Sequence, residues 1–270
     1  MLMFQKVVIG DAERGLVYKN RRFDYVLAPG VYRLKSFTDK LEVTVHNITG
    51  VEYTGKDVET LVARLGDRLN DTFMLADIGT KEVGLLLKNG KLEDVLAPGS
   101  RKLYWKGHVT LEVQRVSLVE GIQMDEDVMR RLRQMGVLER YAVAVNVPTE
   151  SVGLLFVDGK LSRAMQPGAY AFWNFQKNVS AEVMDLRVQS VEVSGQELLT
   201  KDKVSLRVNL AASVRVTDAV AARTKVAKYG DYLYRELQYG LRKAISAKTL
   251  DELLGDKASL DADIFSYVHK

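Results

Sequence analysis

"VLAPG" stands at Val26–Gly30 and again at Val95–Gly99, with a variant, "AMQPG", at Ala164–Gly168. Three of the four prolines lie in these pentapeptides, and Pro29, Pro98 and Pro167 are each 69 residues apart. The flanks keep the same register: Gly15-Leu16, Gly84-Leu85 and Gly153-Leu154, then Asn20-Arg21, Asn89-Gly90 and Asp158-Gly159. Asn-Gly and Asp-Gly favour the positive φ angles of a type I′ turn, so the segments around them read as the two strands of a β-hairpin. Pro-Gly then sets a second turn, proline fixing φ and glycine supplying a conformation that a Cβ disfavours. A third strand follows from Leu41, Leu111 and Ala181. The spacing predicts three related β-rich modules descended from one small fold, with Gly30, Gly99 and Gly168 in equivalent turns.

The first two modules close alike. "DVETLVARLGDRL" places Val58, Leu61, Val62, Leu65 and Leu69 on one helical face, and "DEDVMRRLRQMGVL" does the same with Val128, Leu132, Met135 and Leu138. Asp57 and Asp125 stand at the N-cap positions, and the acidic run Asp125, Glu126 and Asp127 complements the helix dipole more simply than it suggests a metal site. The third module departs. From Val204 to Val216 apolar and polar residues alternate, the mark of a half-buried strand, and helices follow from about 218, 231 and 249, with Ser259 placed to cap a last one. The architecture is therefore expected to be α+β and mainly antiparallel. Its parts are β-rich repeat modules over residues 1–72 and 73–141 and a third, enlarged module over 142–270.

Composition bounds the function. The chain has 270 residues, no cysteine and a net charge of +4, which excludes disulfide and thiol chemistry and makes the surface mildly basic. Its N-terminus lacks the apolar core and cleavage site of a signal peptide, and its apolar runs are far shorter than the roughly 18–20 residues that span a bilayer. The positive excess gathers early, in Arg14, Lys19, Arg21, Arg22, Arg33 and Lys35, a basic surface able to face phosphates, although a solvated face is the plainer reading.

"VDGKLSRAMQPGAY", "MDLRVQSVEVSGQELLTKDKVSLRVNLAASVRVTD" and "YRELQYGLRKAISAKTLDELLGDK" resemble the SPFH (band 7) domain of stomatins, prohibitins and flotillins, and most closely its bacterial slipin branch. The resemblance covers residues 142–261. It implies a non-enzymatic, membrane-associated scaffold that assembles as homo-oligomers, binds lipids, and partners an NfeD-like membrane protein or a membrane protease in membrane-protein quality control. It further implies peripheral attachment on the cytoplasmic side and no cofactor. Two departures stand out: β modules replace the family's N-terminal hydrophobic anchor, and the chain ends at Lys270, before the family's closing strand and coiled-coil helix.

No catalytic or metal constellation is legible: His46, His108 and His269 lack ligand spacing, and there is no nucleophile elbow, Walker A loop or dinucleotide fingerprint. "YAFWNF" is unusually aromatic for a turn, so Tyr170, Phe172, Trp173 and Phe175 are candidates for a membrane-proximal loop, with core packing as the alternative for them and for Trp105. Arg235, Arg242 and Lys243 are candidates for pairing with Asp251 and Glu252 of a neighbouring subunit. The competing reading is a soluble nucleic-acid-binding or protein-interaction protein, which requires exposed aromatics among basic residues on equivalent module faces. With only the first module strongly basic, no nucleic-acid partner is expected.

Overall fold

The computed structural model describes residues 3–36, 39–55, 57–107 and 109–269; His108 lies outside them. The fold is α+β with antiparallel sheets and C-terminal helices, and the chain divides into two compact units: residues 1–142 with 173–175, and residues 143–172 with 176–270.

In the first unit, β1 (Met3–Ile9), β2 (Glu13–Lys19), β3 (Arg22–Leu27), β4 (Gly30–Ser36) and β5 (Leu41–Asn47) lead into α1 (Val58–Leu65) and the short α2 (Leu69–Thr72). Then come β6 (Phe73–Asp77), β7 (Glu82–Lys88), β8 (Lys91–Leu96), β9 (Arg101–Trp105) and β10 (Leu111–Ser117), closed by α3 (Glu126–Gln134) and α4 (Leu138–Tyr141). A third set follows: β11 (Ala142–Val147), β12 (Ser151–Val157), β13 (Lys160–Met165), β14 (Gly168–Trp173) and β15 (Val179–Asp185). One pairing pattern occurs in each set. A two-stranded ribbon (β1-β4, β6-β9, β11-β14) accompanies a three-stranded sheet whose centre is the hairpin's first strand (β3-β2-β5, β8-β7-β10, β13-β12-β15). The ribbon's first strand and the strand after Pro-Gly are additions to the sequence reading, which saw three strands per module.

The turns follow their chemistry. Asn20 and Arg21, Asn89 and Gly90, and Asp158 and Gly159 all have positive φ, as a type I′ turn requires. The Asn or Asp serves twice, because its carboxamide or carboxylate oxygen also accepts the backbone N–H of Lys40, Thr110 or Asn178, at 2.9 Å in each case. Arg21 stands where the other two turns have glycine, at φ 65°. A residue with a Cβ is strained there by about 1–2 kcal/mol, partly offset by the lower unfolded-state entropy it brings. Arg21→Gly is therefore expected to raise stability by roughly 0.5 kcal/mol, read as a higher urea midpoint at unchanged slope.

Pro-Gly behaves alike in two modules and differently in the third. Gly30 and Gly168 share φ 154°, and in each the hydroxyl of a tyrosine two residues on (Tyr32, Tyr170) donates back to the carbonyl of Ala28 or Gln166. Gly99 sits at φ 72°, in a turn closed by Ser100 N–H to the Ala97 carbonyl. The expectation of equivalent glycine turns thus fails at Gly99, where Arg101 occupies the position of the latching tyrosine and pairs instead with Asp77 and Glu59.

Two cores hold the first module. Between ribbon and sheet lie Val7, Ile9, Val17 and Leu27. On the sheet's other side, Leu16, Phe23 and Ile48 pack with Leu61, Leu65 and Leu69 against the outer face of the next ribbon, Phe73, Leu103 and Trp105. Side-chain alternation along β2 is what sends Leu16 and Val17 to opposite cores. The helix of the first module therefore also grips the second. The backbone N–H of Trp105 donates to the Val51 carbonyl at 2.7 Å, and that of Trp173 to the Ile122 carbonyl at 2.8 Å.

The helices depart from their sequence reading in detail. Gly66, at φ 51°, ends α1 before Leu69, and Gly136, at φ 70°, ends the turn after α3 and leaves Met135 exposed. Asp125 caps α3 through the N–H groups of Asp127 and Val128. Asp57 does not cap α1 with its side chain; its carboxylate accepts the hydroxyls of Tyr18, at 2.6 Å, and Tyr53, at 2.5 Å.

In the second unit the predicted strand from Ala181 is two strands. β15 pairs with β12, and β16 (Gln189–Leu199) pairs with β17 (Ser205–Val214). Between them Arg187 folds back on Asp185, and Leu186 N–H donates to the Glu150 carbonyl, which turns the chain out of the first sheet. Then follow α5 (Ala219–Thr224), α6 (Tyr229–Ser246), α7 (Leu250–Gly255) and α8 (Lys257–Val268). One face of the β16-β17 hairpin gives Leu198, Leu206, Val208 and Leu210 to a core with Leu241, Ile245, Leu253 and Ile264 of the helices. Asp256, rather than Ser259, caps α8.

Candidate functional site

The aromatic turn is the first candidate. Phe172 and Trp173 are buried, at 1% and 2% exposure, and Tyr170 and Phe175 are half-buried. Phe172 lies under the Arg163 guanidinium and beside the stacked ring of Tyr170. Trp173 stacks on Phe175, 6.0 Å between centroids, and its indole N–H has no acceptor among the described residues. The membrane-proximal reading is corrected for Phe172 and Trp173. Strand β14 turns both rings into protein, and a ring enclosed in this way cannot enter an interface. Burial also removes the stacking platform that a nucleic-acid reading needed, since Tyr104 and Trp105 are equally enclosed.

The six early basic residues do not form one surface. Arg14 and Lys19 stand five residues apart on β2, about 17 Å at the rise of a strand. Arg14 donates to the neighbouring Glu13 carbonyl. Lys19 pairs with Asp39 at 2.9 Å, which raises the lysine's pKa and lowers the carboxylate's. Arg21 and Arg22 are exposed at the hairpin tip. Arg33 and Lys35 instead share the outer face of β4, and the register puts Lys6 of β1 opposite Arg33. Lys6 was not among the basic residues singled out from the sequence. Its signal is the ribbon register, visible once Lys6 and Leu75 are compared at the 69-residue step.

Of the candidate assembly residues, Arg235 and Arg242 are exposed two turns apart on α6 and make no ion pair among the described residues. Exposed Tyr232 and Tyr239 lie on the same stretch of helix. Lys243 is engaged at home, 5.3 Å from the Tyr267 ring centroid. Glu252 completes a capping box, accepting the Thr249 N–H at 2.8 Å, and this bond lowers its pKa; Asp251 is exposed.

The Tyr18, Asp57 and Tyr53 cluster was not legible in sequence, since it joins a strand, a loop and a helix start. Burial, then the hydrogen bond to Asp57, raises Tyr18 to about 12, and Tyr53 moves further in the same direction. Beside them His46, 5.3 Å from the Tyr53 ring, is lowered by burial. The folded chain holds the Tyr18 proton more tightly than the unfolded chain. This contribution to stability is complete below the ordinary tyrosine value of 10.0 and is lost as pH rises through about 12. Alkaline titration at the tyrosinate absorbance is expected to show a late-titrating tyrosine that Tyr18→Phe removes. Among the described residues no three His, Asp or Glu side chains gather to hold a metal, and no helix is long and apolar enough to cross a membrane.

Residues 145–270 match the SPFH domain / Band 7 family. The chain is 33% identical over 112 residues to an uncharacterized protein of Archaeoglobus fulgidus, covering 42% of this chain and 44% of that protein. It is 36% identical over 112 residues to a stomatin homolog of Pyrococcus horikoshii, 41% of each chain, and 31% identical over 85 residues to Stomatin-3 of Caenorhabditis elegans, 32% of each. The match spans less than half the length of each of these relatives. The match to the SPFH domain / Band 7 family covers residues 145–270, just under half of the chain.

Proposed function

We propose that the chain is a stomatin-like, membrane-associated scaffold with no catalytic activity of its own. The observation that carries this reading is the SPFH/Band 7 match over residues 145–270, supported by the stomatin names of its relatives. Residues 1–72, 73–141 and 142–270 act as three related modules, the first two forming a platform ahead of the SPFH domain. Copies associate through the open face of α6, with Arg235 and Arg242 meeting Asp251 of a neighbouring subunit. Arraying many weakly attached copies multiplies their hold on a surface by avidity. The chain belongs to the bacterial slipin branch, works at the cytoplasmic face, and gathers lipids with an NfeD-like membrane protein or a membrane protease for membrane-protein quality control.

The test is the mass of the purified chain by light scattering, together with fractionation of expressing cells. A multi-chain assembly in the membrane fraction, reduced in mass by Arg235→Glu with Arg242→Glu, is the expected result. A monomer confined to the soluble fraction would overturn the reading.

A further inference from the structure

The ribbon of each module has an outer face, and in the second module that face is covered. Phe73 pairs with Trp105 and Leu75 with Leu103, and these rings and side chains are packed under α1. At the rim of the same face, Asp77 pairs with Arg101 in the register and by an ion pair at 3.3 Å, and Arg101 reaches Glu59 of α1 at 2.8 Å. The covered face is thus apolar in its middle and charged, with both signs, at its rim.

The first module inverts this pattern. In the same register Lys6 pairs with Arg33 where the second module has Leu75 and Leu103, and Lys35 stands where it has Trp105. Val8 and Val31 pair where it has Asp77 and Arg101, and they are 58% and 64% exposed. An uncovered ribbon face needs polar side chains for solubility, and the lysines and arginine supply them. Solubility alone does not account for the rest. A solubilising surface mixes signs, whereas the β1-β4 outer face carries cations and no carboxylate, and its apolar pair is open to solvent. Gln5, Lys6, Arg33 and Lys35 also border a concavity of about 390 Å³, room enough for a phosphate group.

We infer that the outer face of the β1-β4 ribbon is the surface by which the chain seats on an anionic phospholipid bilayer. Lys6 and Arg33 meet headgroup phosphates, and Val8 and Val31 enter the interfacial zone beside them. A face with one sign of charge next to exposed aliphatic groups matches a surface that is anionic outside and apolar just beneath. The inference rests on the membrane-associated reading and names its contact. On the first ribbon Val8 and Val31 are open to solvent, whereas the third ribbon's Phe172 and Trp173 are enclosed.

The test is flotation of the full chain with vesicles of phosphatidylcholine, and of phosphatidylcholine containing phosphatidylserine, at low and physiological salt. Wild type is expected to float with the anionic vesicles and to lose binding as salt screens the contact. Lys6→Glu with Arg33→Glu should cut the bound fraction at least roughly tenfold, since each cation near an anionic surface contributes about fivefold to partitioning. Lys6→Gln with Arg33→Gln should give an intermediate loss, and Lys91→Glu with Lys160→Glu, the same charge change at exposed positions away from the ribbon, should leave vesicle binding within about twofold of wild type. All variants should melt as wild type, because the substituted side chains are exposed. Flotation of wild type with undiminished flotation of the ribbon variants would overturn the ribbon assignment while leaving the membrane reading standing. No flotation of wild type with either vesicle would overturn both. Equal binding to neutral and anionic vesicles, or equally tight ribbon-dependent binding to single-stranded RNA, would overturn the phospholipid as occupant.

Discussion

Gly84→Val is expected to cost the first unit about 3 kcal/mol, the upper range for overpacking a core. A Cβ at Gly84 would lie 2.6 Å from Cδ1 of Ile78 and 3.1 Å from Cβ of Leu96, both buried. The backbone cannot retreat, because β7 is the central strand and is hydrogen-bonded on both sides to β8 and β10. Gly15 meets Ile9 at 2.8 Å and Leu27, and Gly153 meets Val147 and Met165 at 2.7 Å, in the same register. Glycine thus precedes leucine in all three hairpins because the side chain ending the ribbon's first strand crosses directly over it. Urea melts of Gly84→Val, and a double-mutant cycle of Gly84→Ala with Ile78→Ala, measure this. The pair should lose at least about 1 kcal/mol less than the sum of the single changes, because shortening Ile78 makes room for the new methyl. Additive losses, or a Gly84→Val melt like that of wild type, would reject the close approach.

Trp105→Ala is expected to cost about 3–5 kcal/mol, the range for truncating a fully buried large aromatic. The indole is 4.3 Å from the Phe73 ring centroid and 5.5 Å from that of Tyr53, in the core that Leu61 and Leu65 complete. That core is the seam between the first module and the second ribbon. Its loss should also broaden urea unfolding and lower the apparent slope, as the parts on either side stop melting together. Val119→Ala, at a side chain 72% exposed, should stay within about 0.5 kcal/mol of wild type. A Trp105→Ala chain that melts like Val119→Ala would show that the ring does not join the modules.

The sequence carried the local chemistry of this fold better than its pairing. The type I′ turns at Asn20, Asn89 and Asp158 were legible because two dihedrals and one side chain decide them. The double use of Asn89, as a turn residue and as acceptor for Thr110 N–H, was not, since it depends on where the third strand begins. The ribbons escaped notice because β1 and β4 are more than twenty residues apart in sequence and both faces of β6-β9 are buried, which erases the alternation a half-buried strand displays. Gly99 was misread for want of one residue. The tyrosine two positions after Gly30 and Gly168 latches the turn, and its replacement by Arg101 is visible in the sequence once the latch is known.

The candidate surfaces divide along the same line. The basic and aromatic residues were found by type, but type does not say which way a side chain points. Alternation along β4 places Arg33 outside, whereas Phe172 and Trp173 point to opposite faces of β14 and are both enclosed because both faces are covered there. Arg235 and Arg242 were legible as the polar side of an amphipathic helix, while the internal use of Lys243 and Glu252 required the neighbouring turns of α7 and α8.

Lysine-acetylation footprinting of the chain, free and bound to vesicles containing phosphatidylserine, tests the account most directly. It predicts that Lys6 is modified readily in the free chain and protected on the vesicle, while Lys91, on an exposed hairpin turn of the second module, is modified equally in both. A vesicle-bound chain whose Lys6 stays as reactive as in the free chain would contradict it.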